Sequence, residues 1–160
     1  MSGRYNNIFG SGPTGVLITV LLWVVALQLS TWVSIPEMHI APIFRWVLIL
    51  LFSIDAAVLL VWSHIILPPS VSAKTLITKG PYQFVRHPIY AAFIWSGTGI
   101  MAMTYKSWLL IVFVIPIHIF WAWHVQKEEK HMIDKFGSAY ADYIKTTGQF
   151  FPRFIVGKKN

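Results

Sequence analysis

Two clusters of polar residues lie at the two ends of one apolar stretch in the second half of the chain. The first contains Arg86 and His87 followed by Pro88, and the second begins with the adjacent acids Glu128 and Glu129. An arginine, a histidine and two carboxylates can together bind a small molecule that carries both positive and negative charge. That chemistry requires the apolar stretch between the clusters to fold back on itself and bring them together.

The composition indicates an integral membrane protein. Of the 160 residues, 56% are hydrophobic and only 12% are charged, which is too few charges to cover a soluble globule of this size. Eight tryptophans and six tyrosines supply side chains for the membrane interfaces. The sequence has no cysteine, which excludes a disulfide framework, a thiolate metal site and a cysteine nucleophile.

Four apolar runs predict membrane-spanning helices, over residues 16–35, 43–67, 88–105 and 108–123. At 1.5 Å per residue, roughly 20 residues cross the hydrocarbon core. A cleaved signal peptide is the competing interpretation of the first run. This run is longer than the apolar region of a signal peptide, so we favour a membrane-spanning helix. The predicted fold is therefore an all-α, polytopic membrane helix bundle of about four transmembrane helices. It forms a single membrane domain over residues 1–160. A cytoplasmic amphipathic tail over residues 124–160 completes the binding pocket that the two polar clusters are expected to form.

The short turn at residues 105–107 makes the last two runs an antiparallel hairpin, so both polar clusters are expected on one side of the membrane. The formal net charge is +7, and the basic residues concentrate on that side, in the connection before residue 88 and in the tail. The positive-inside rule makes this side cytoplasmic, with both termini there. The basic excess then indicates topology and attraction to anionic membrane lipids, with no nucleic-acid partner.

Other positions carry separate predictions. Asp55 is a carboxylate at membrane depth, where it either lines a ligand cavity or makes a helix-packing hydrogen bond, the reading we favour. His124 lies one turn before Glu128 and is either an interfacial histidine or a member of the site. In the tail, Gly137 is expected to end a helix and Ser138 to cap the next one. Residues 150–152 are expected to return to the membrane surface.

The start of the third run suits an anion. Pro88 favours the first turn of a helix, which places His87 near the N-cap, beside Arg86 and the positive end of the helix dipole. Glu128 and Glu129 point about 100° apart on a helix, so one is expected to contact a ligand while the other holds Arg86, a lysine or a ligand amine. The simpler alternatives are a lipid-headgroup anchor for the arginine and a solvated helix face for the glutamates.

The order of these motifs resembles the isoprenylcysteine carboxyl methyltransferase family, which is similar in turn to the phospholipid N-methyltransferases. The pattern is Gly-Pro-Tyr-x-x-x-Arg-His-Pro-x-Tyr, a hydrophobic hairpin, Glu-Glu, and then Phe-Gly-x-x-Tyr-x-x-Tyr with a proline near the end. The resemblance covers residues 80 to about 152, and the first two apolar runs carry none of it.

The resemblance implies an enzyme that transfers a methyl group from S-adenosyl-L-methionine to a lipophilic acceptor. A glutamate would offset the sulfonium and ammonium of this cofactor, and the helix start would bind its carboxylate. Cation–π contacts from tyrosines would add on the order of 1 kcal/mol each. The implied catalytic residues are Arg86, which would orient an acceptor carboxylate, and Glu128. The implied cofactor-binding residues are Tyr82, His87, Pro88, Tyr90, Glu129 and Tyr140, and no metal is expected.

The methyl acceptor stays open among a prenylated cysteine carboxylate, a phospholipid amine, a small thiol and other lipophiles, and so does the oligomeric state. Two other classes are alternatives. Membrane steroid and sterol reductases carry a similar Arg-His-Pro segment and use NADPH, whereas a non-catalytic membrane protein would bind only lipid or a partner.

Overall fold

A computed structural model describes residues 12–67 and 75–153, and these residues fold into helices joined by short connections. Within these two ranges the one β feature is an isolated parallel bridge between Val85 and Gly148. The all-α prediction is therefore confirmed. The N-terminal arm, the connection at residues 68–74 and residues 154–160 lie outside the described ranges, together with part of the basic charge on which the predicted orientation depends.

The first two helices are long and apolar. Helix α1 covers Gly12–Trp32 and helix α2 covers Pro42–Ile66, close to the predicted runs. The long apolar helix α4 follows later in the chain. It covers Trp108–His124 and leads directly into helix α5, Gln126–Phe136. By length and composition, three helical stretches in the described ranges could cross a membrane: Gly12–Trp32, Pro42–Ile66 and Trp108–Phe136.

The third helix, α3, is built from three consecutive segments: Pro88–Ala91, a π-helical segment Ala92–Gly97, and Thr98–Thr104. It is shorter than α1 and α2, so its crossing of the membrane stays a prediction. The hydroxyl of Thr98, the residue after the π segment, donates to the carbonyl of Phe93 inside the segment, five residues earlier, at 3.4 Å. The same hydroxyl accepts a hydrogen bond of 3.0 Å from the Trp23 indole of α1.

Small residues allow close packing between the helices. The predicted hairpin is present, because α3 ends at Thr104 and α4 begins at Trp108. Helix α1 packs against α4, where a Cβ added at Gly15 would overlap the Trp121 ring. Helix α2 packs against α3, where a Cβ at Gly99 would overlap the Phe52 ring. Gly15 and Gly99 therefore allow these two pairs of helices to approach closely.

Asp55 makes the helix-packing hydrogen bond that we favoured from the sequence. The hydroxyl of Ser96, inside the π segment of α3, donates to the Asp55 carboxylate on α2. This contact joins the same two helices that pack where the Phe52 ring meets Gly99.

Two predictions for the tail need correction and one is confirmed. Gly137, with φ +54°, follows the end of α5 as predicted. Ser138 is not the cap of the next helix, because α6 covers Ser138–Thr146 and Gly137 itself occupies the cap position. Phe150 does not return to the membrane surface: it is 2% exposed and packs in the core, whereas Phe151 is 58% exposed. A run of two aromatic residues does not by itself show which ring the fold buries.

Candidate active site

The two polar clusters meet, as the hairpin predicted. Arg86 and His87 lie just before α3, and Glu129 lies in the first turn of α5. The Glu129 Oε1 atom is 2.8 Å from Arg86 Nη2, 2.9 Å from Arg86 Nε and 3.1 Å from His87 Nε2. One carboxylate oxygen therefore joins the arginine to the histidine.

Arg86 is held inside the protein rather than at a lipid headgroup. Its side chain is 9% exposed and that of Glu129 is 15% exposed. The guanidinium also donates to the backbone carbonyl of Thr147. Because a charged group in this position requires a partner, Glu129 is the glutamate that holds Arg86, one of the two roles expected for this pair.

Glu128 faces a different set of atoms. Its side chain is 34% exposed, its Oε2 accepts a hydrogen bond of 3.2 Å from the Tyr90 hydroxyl, and its Oε1 lies 3.9 Å from His87 Nδ1. His87 therefore lies between the two carboxylates, with one ring nitrogen toward each. The pair points in two directions as predicted, but both glutamates belong to the same cluster.

A stack of three rings orients Tyr90 and His87. The His87 and Tyr90 rings lie 5.4 Å apart and 11° from parallel, and the Tyr90 and Trp121 rings lie 4.4 Å apart and 26° from parallel. The Trp121 indole donates to the Thr19 hydroxyl on α1 at 2.8 Å. Stacking of this kind restricts ring rotation, so the Tyr90 hydroxyl is aimed at Glu128 by contacts that reach into α1 and α4.

The remaining predicted tyrosines are buried next to the cluster. Tyr82 is 8% exposed and Tyr140 is 2% exposed. Burial raises the pKa of Tyr82 to about 12, and burial together with the nearby Glu129 charge raises the pKa of Tyr140. The hydroxyl of Tyr143 donates to the backbone carbonyl of Tyr82. Both predicted tyrosines thus stay neutral at physiological pH and lie deeper in the protein than Tyr90.

His124 takes part in the packing of α1 against α4. Its Nε2 lies 3.0 Å from the hydroxyl of Thr14, and its ring stacks on Phe120 at 5.0 Å. No group of three histidine, cysteine, aspartate or glutamate side chains that could hold a metal ion occurs in the described ranges.

The sequence reading missed the segment that follows α6. The Arg86 amide donates to the Gly148 carbonyl at 2.8 Å, and the His87 amide donates to the Gln149 carbonyl at 3.0 Å. These bonds run between backbones that are far apart in the sequence, and backbone pairing of a few residues has no side-chain pattern that would reveal it. The large aromatic side chain of Phe150 indicates burial somewhere, but the sequence predicts this residue at the membrane surface.

Comparison with known proteins decides the family. The model of the isoprenylcysteine carboxyl methyltransferase (ICMT) family matches residues 40–134, more than half of the chain. The chain belongs to this family. The match includes α2, so the expectation that neither of the first two apolar runs resembles the family was wrong for the second run. It ends inside α5, before Tyr140.

Three relatives illustrate what this ICMT-family chain is similar to. It is 29% identical over 91 residues to the protein-S-isoprenylcysteine O-methyltransferase of Saccharomyces cerevisiae. The aligned residues make up 57% of this chain and 38% of the yeast protein. It is 32% identical over 93 residues to the enzyme of that name from Schizosaccharomyces pombe, 57% of this chain and 39% of that protein. It is also 30% identical over 80 residues to the cobalt-zinc-cadmium resistance protein CzcN of Cupriavidus metallidurans, 50% of this chain and 37% of that protein.

The chain thus matches between 37% and 39% of the length of each of these relatives. Membership of a methyltransferase family implies a methyl donor, and the apolar helices indicate a membrane protein. The reductase alternative is not favoured by these similarities.

Proposed function

We propose that the chain is a membrane methyltransferase that uses S-adenosyl-L-methionine and methylates the carboxylate of a prenylated cysteine. The observation that carries the proposal is the cluster of Glu128, Tyr90 and His87 at the start of α3, in a chain that belongs to the ICMT family. Both termini are proposed to face the cytoplasm, on the same side as this cluster. Besides this lipidated substrate, the chain would contact the surrounding membrane lipids.

The charges of the cluster fit this cofactor. Glu129 is already neutralised by Arg86, with His87 on the same oxygen, so its negative charge serves to organise the site. Glu128 is the more exposed carboxylate, and the Tyr90 hydroxyl orients it. We therefore assign to Glu128 the role of offsetting a cationic ligand, and to Glu129 a supporting role in cofactor binding. The first turn of α3 after Pro88 offers N–H groups for the ligand carboxylate.

The bound cofactor would supply an activated methyl group, which leaves sulfur as a bond to the acceptor oxygen forms. The residues of this chain position the acceptor and remove water from it, and both effects lower the barrier to an in-line displacement. Arg86 is the proposed residue for orienting an acceptor carboxylate. A guanidinium carries more N–H donors than the bonds to Glu129 and to the Thr147 carbonyl use, so Arg86 would keep both bonds while a further N–H contacts the acceptor.

An apolar groove next to the cluster suits a lipophilic acceptor. It is an open surface groove of about 410 Å³ between α2 and the start of α3, and Ile89, which lines it, is the neighbour of Pro88 and Tyr90. The residues that line it are Leu60, Val61, His64, Ile65 and Ile89. An isoprenyl chain in this groove would hold its cysteine at the edge of the membrane near the cluster.

Calorimetric titration of the detergent-purified protein with S-adenosylhomocysteine tests the cofactor assignment, with NADPH as the comparison ligand. We expect saturable binding of S-adenosylhomocysteine alone. Glu128→Gln should weaken it about tenfold, which corresponds to one charge-assisted contact. Glu37→Gln is the matched control, because Glu37 is a 69% exposed acid that pairs with Lys106 at another surface. Binding of NADPH alone, or of neither ligand, would contradict the assignment.

The acceptor is tested with an S-farnesylated cysteine derivative whose carboxylate is either free or amidated. A methyl ester should form from the free acid only. Methylation of a phospholipid amine instead would identify the second acceptor class, for which a glutamate of the site would take or offset the amine proton.

A further inference from the structure

A short segment after α6 contacts the cluster from outside the region that the family match covers. We call residues 147–150 the C-terminal strap. Three of its four carbonyl groups accept hydrogen bonds from the two residues that precede α3: Thr147 from the Arg86 guanidinium, Gly148 from the Arg86 amide and Gln149 from the His87 amide. The strap therefore fixes both the backbone and one side chain of the Arg86-His87 pair.

The fourth strap residue fixes the strap itself. Phe150 is 2% exposed, and its ring lies 5.7 Å from the His87 ring on one side and 5.5 Å from the His118 ring of α4 on the other. Its carbonyl accepts a hydrogen bond of 3.1 Å from the indole of Trp95, which lies in the π segment of α3. Phe150 is thus held by α3 and α4 and touches His87 directly.

The path of the strap requires glycine at position 148. A Cβ added there would overlap the backbone carbonyl oxygen of Phe151, so any side chain forces the backbone to move. The overlap is with backbone rather than with the end of a flexible side chain, so a rotamer change cannot relieve it. A substitution at Gly148 must therefore move the backbone at Gly148 or at Phe151, and we expect this to shift the strap residues between them.

We propose that the C-terminal strap positions His87 for cofactor binding and Arg86 for the acceptor, with Phe150 anchoring it and Gly148 allowing its path. The inference rests on the proposed function of the same cluster. The strap residues are positioning residues: they act through Arg86 and His87, and they provide the rigid support without which a binding group is displaced from its ligand.

The test uses the full-length protein in detergent, with its six histidines isotopically labelled for nuclear magnetic resonance. Trp95→Phe removes the indole N–H that holds the Phe150 carbonyl and leaves an aromatic ring in place. Gly148→Ala displaces the strap without removing any side chain that touches His87. Trp108→Phe, at a 49% exposed tryptophan near the α3–α4 turn, is the matched control. The His87 signal is identified by its loss in His87→Gln.

Two readouts are taken for each variant: the position of the His87 ring signal relative to the exposed His39 and His131, and the affinity for S-adenosylhomocysteine. We expect both to change in the two strap variants. The affinity should fall about threefold in Trp95→Phe and about tenfold in Gly148→Ala, because small displacements of positioning groups have effects of this size or larger. Both readouts should stay at their wild-type values in Trp108→Phe.

The two readouts separate the strap from the proposed function. An unshifted His87 signal with wild-type affinity in Trp95→Phe and Gly148→Ala would overturn the strap proposal. A shifted His87 signal in a protein whose wild type does not bind S-adenosylhomocysteine would support the strap as a positioning element and overturn the proposed function. If Gly148→Ala does not fold, Trp95→Phe decides the question alone.

Discussion

Helix α2 and the polar cluster of Arg86, His87, Glu128 and Glu129 differ in what their side chains contact. Along α2, large apolar side chains such as Phe44, Trp46 and Leu50 are exposed on the protein surface, and Ser63 is its one buried residue. In the polar cluster, by contrast, charged groups are buried against one another, with Arg86 and Glu129 as the central pair. A bilayer satisfies the first kind of surface without specific contacts, whereas the second needs defined partners.

This difference predicts where a single substitution will matter. On α2 the lipid replaces lost contacts, so the effects should be small, whereas the site has no such substitute. Two single substitutions and one double-mutant cycle, each with a matched control, test the comparison in order of expected effect.

The largest effect is expected from Arg86→Met, which removes the charge and keeps the aliphatic stem. Glu129, 15% exposed, would be left with a buried negative charge that His87 alone must offset. We expect a loss of about 3 kcal/mol in the free energy of unfolding, measured by denaturant titration in detergent, together with loss of S-adenosylhomocysteine binding.

Lys106→Met is the control for Arg86→Met. Lys106 also forms an ion pair, with Glu37 at 3.0 Å, but the two side chains are 43% and 69% exposed. Solvent screening limits such a pair to about 0.5 kcal/mol. Equal losses of stability in Arg86→Met and Lys106→Met would contradict the idea that the polar cluster depends on buried polar contacts.

An intermediate effect is expected from Gly15→Ala in α1. The added Cβ would overlap the Trp121 ring, which stacks on Tyr90. Overpacking of this kind costs about 1–3 kcal/mol, which should appear as a lower midpoint of thermal unfolding. Gly12→Ala is the matched control, because its Cβ would meet Tyr90 at an ordinary contact distance of 3.6 Å. A midpoint unchanged by Gly15→Ala would show that α1 can move away without loss.

The same contrast explains how much could be predicted from the sequence. The long helices follow directly from hydrophobic runs, so α1, α2 and α4 begin and end close to the predicted positions. The meeting of Arg86 with Glu129 followed from the short α3–α4 turn, because an antiparallel hairpin returns the chain to its starting side. Both inferences use local information.

What the sequence did not reveal depends on contacts between distant segments. The π segment at Ala92–Gly97 lies where Ser96 bonds to α2 and the next segment begins with Thr98, which bonds to α1. No local sequence pattern predicts such a segment. The division of roles between Glu128 and Glu129 depends on which one faces Arg86, and two adjacent glutamates look alike in a sequence. Phe150 and Phe151 posed the same problem.

The smallest effect concerns the polar contact that α2 makes with α3. The Ser96 hydroxyl donates to the Asp55 carboxylate across the two helices. Single substitutions are ambiguous here, because Asp55→Ala also removes an ionisable group from membrane depth and Ser96→Ala leaves the carboxylate without this donor. A double-mutant cycle with Asp55→Ala and Ser96→Ala isolates the interaction, which for hydrogen bonds between membrane helices averages about 0.6 kcal/mol.

The cycle is measured by unfolding in detergent, and the pair Ser53 and Ser96 is its matched control. Ser53 also lies on α2, but its hydroxyl donates to the Ile49 carbonyl of its own helix, so its coupling to Ser96 should be close to zero. A coupling of about 0.6 kcal/mol for Asp55 and Ser96 would mean that α2 is positioned by one polar contact in addition to packing. A value no larger than that of the control would leave apolar packing, such as Phe52 against Gly99, and the lipid to hold α2, which would make the contrast with the polar cluster complete.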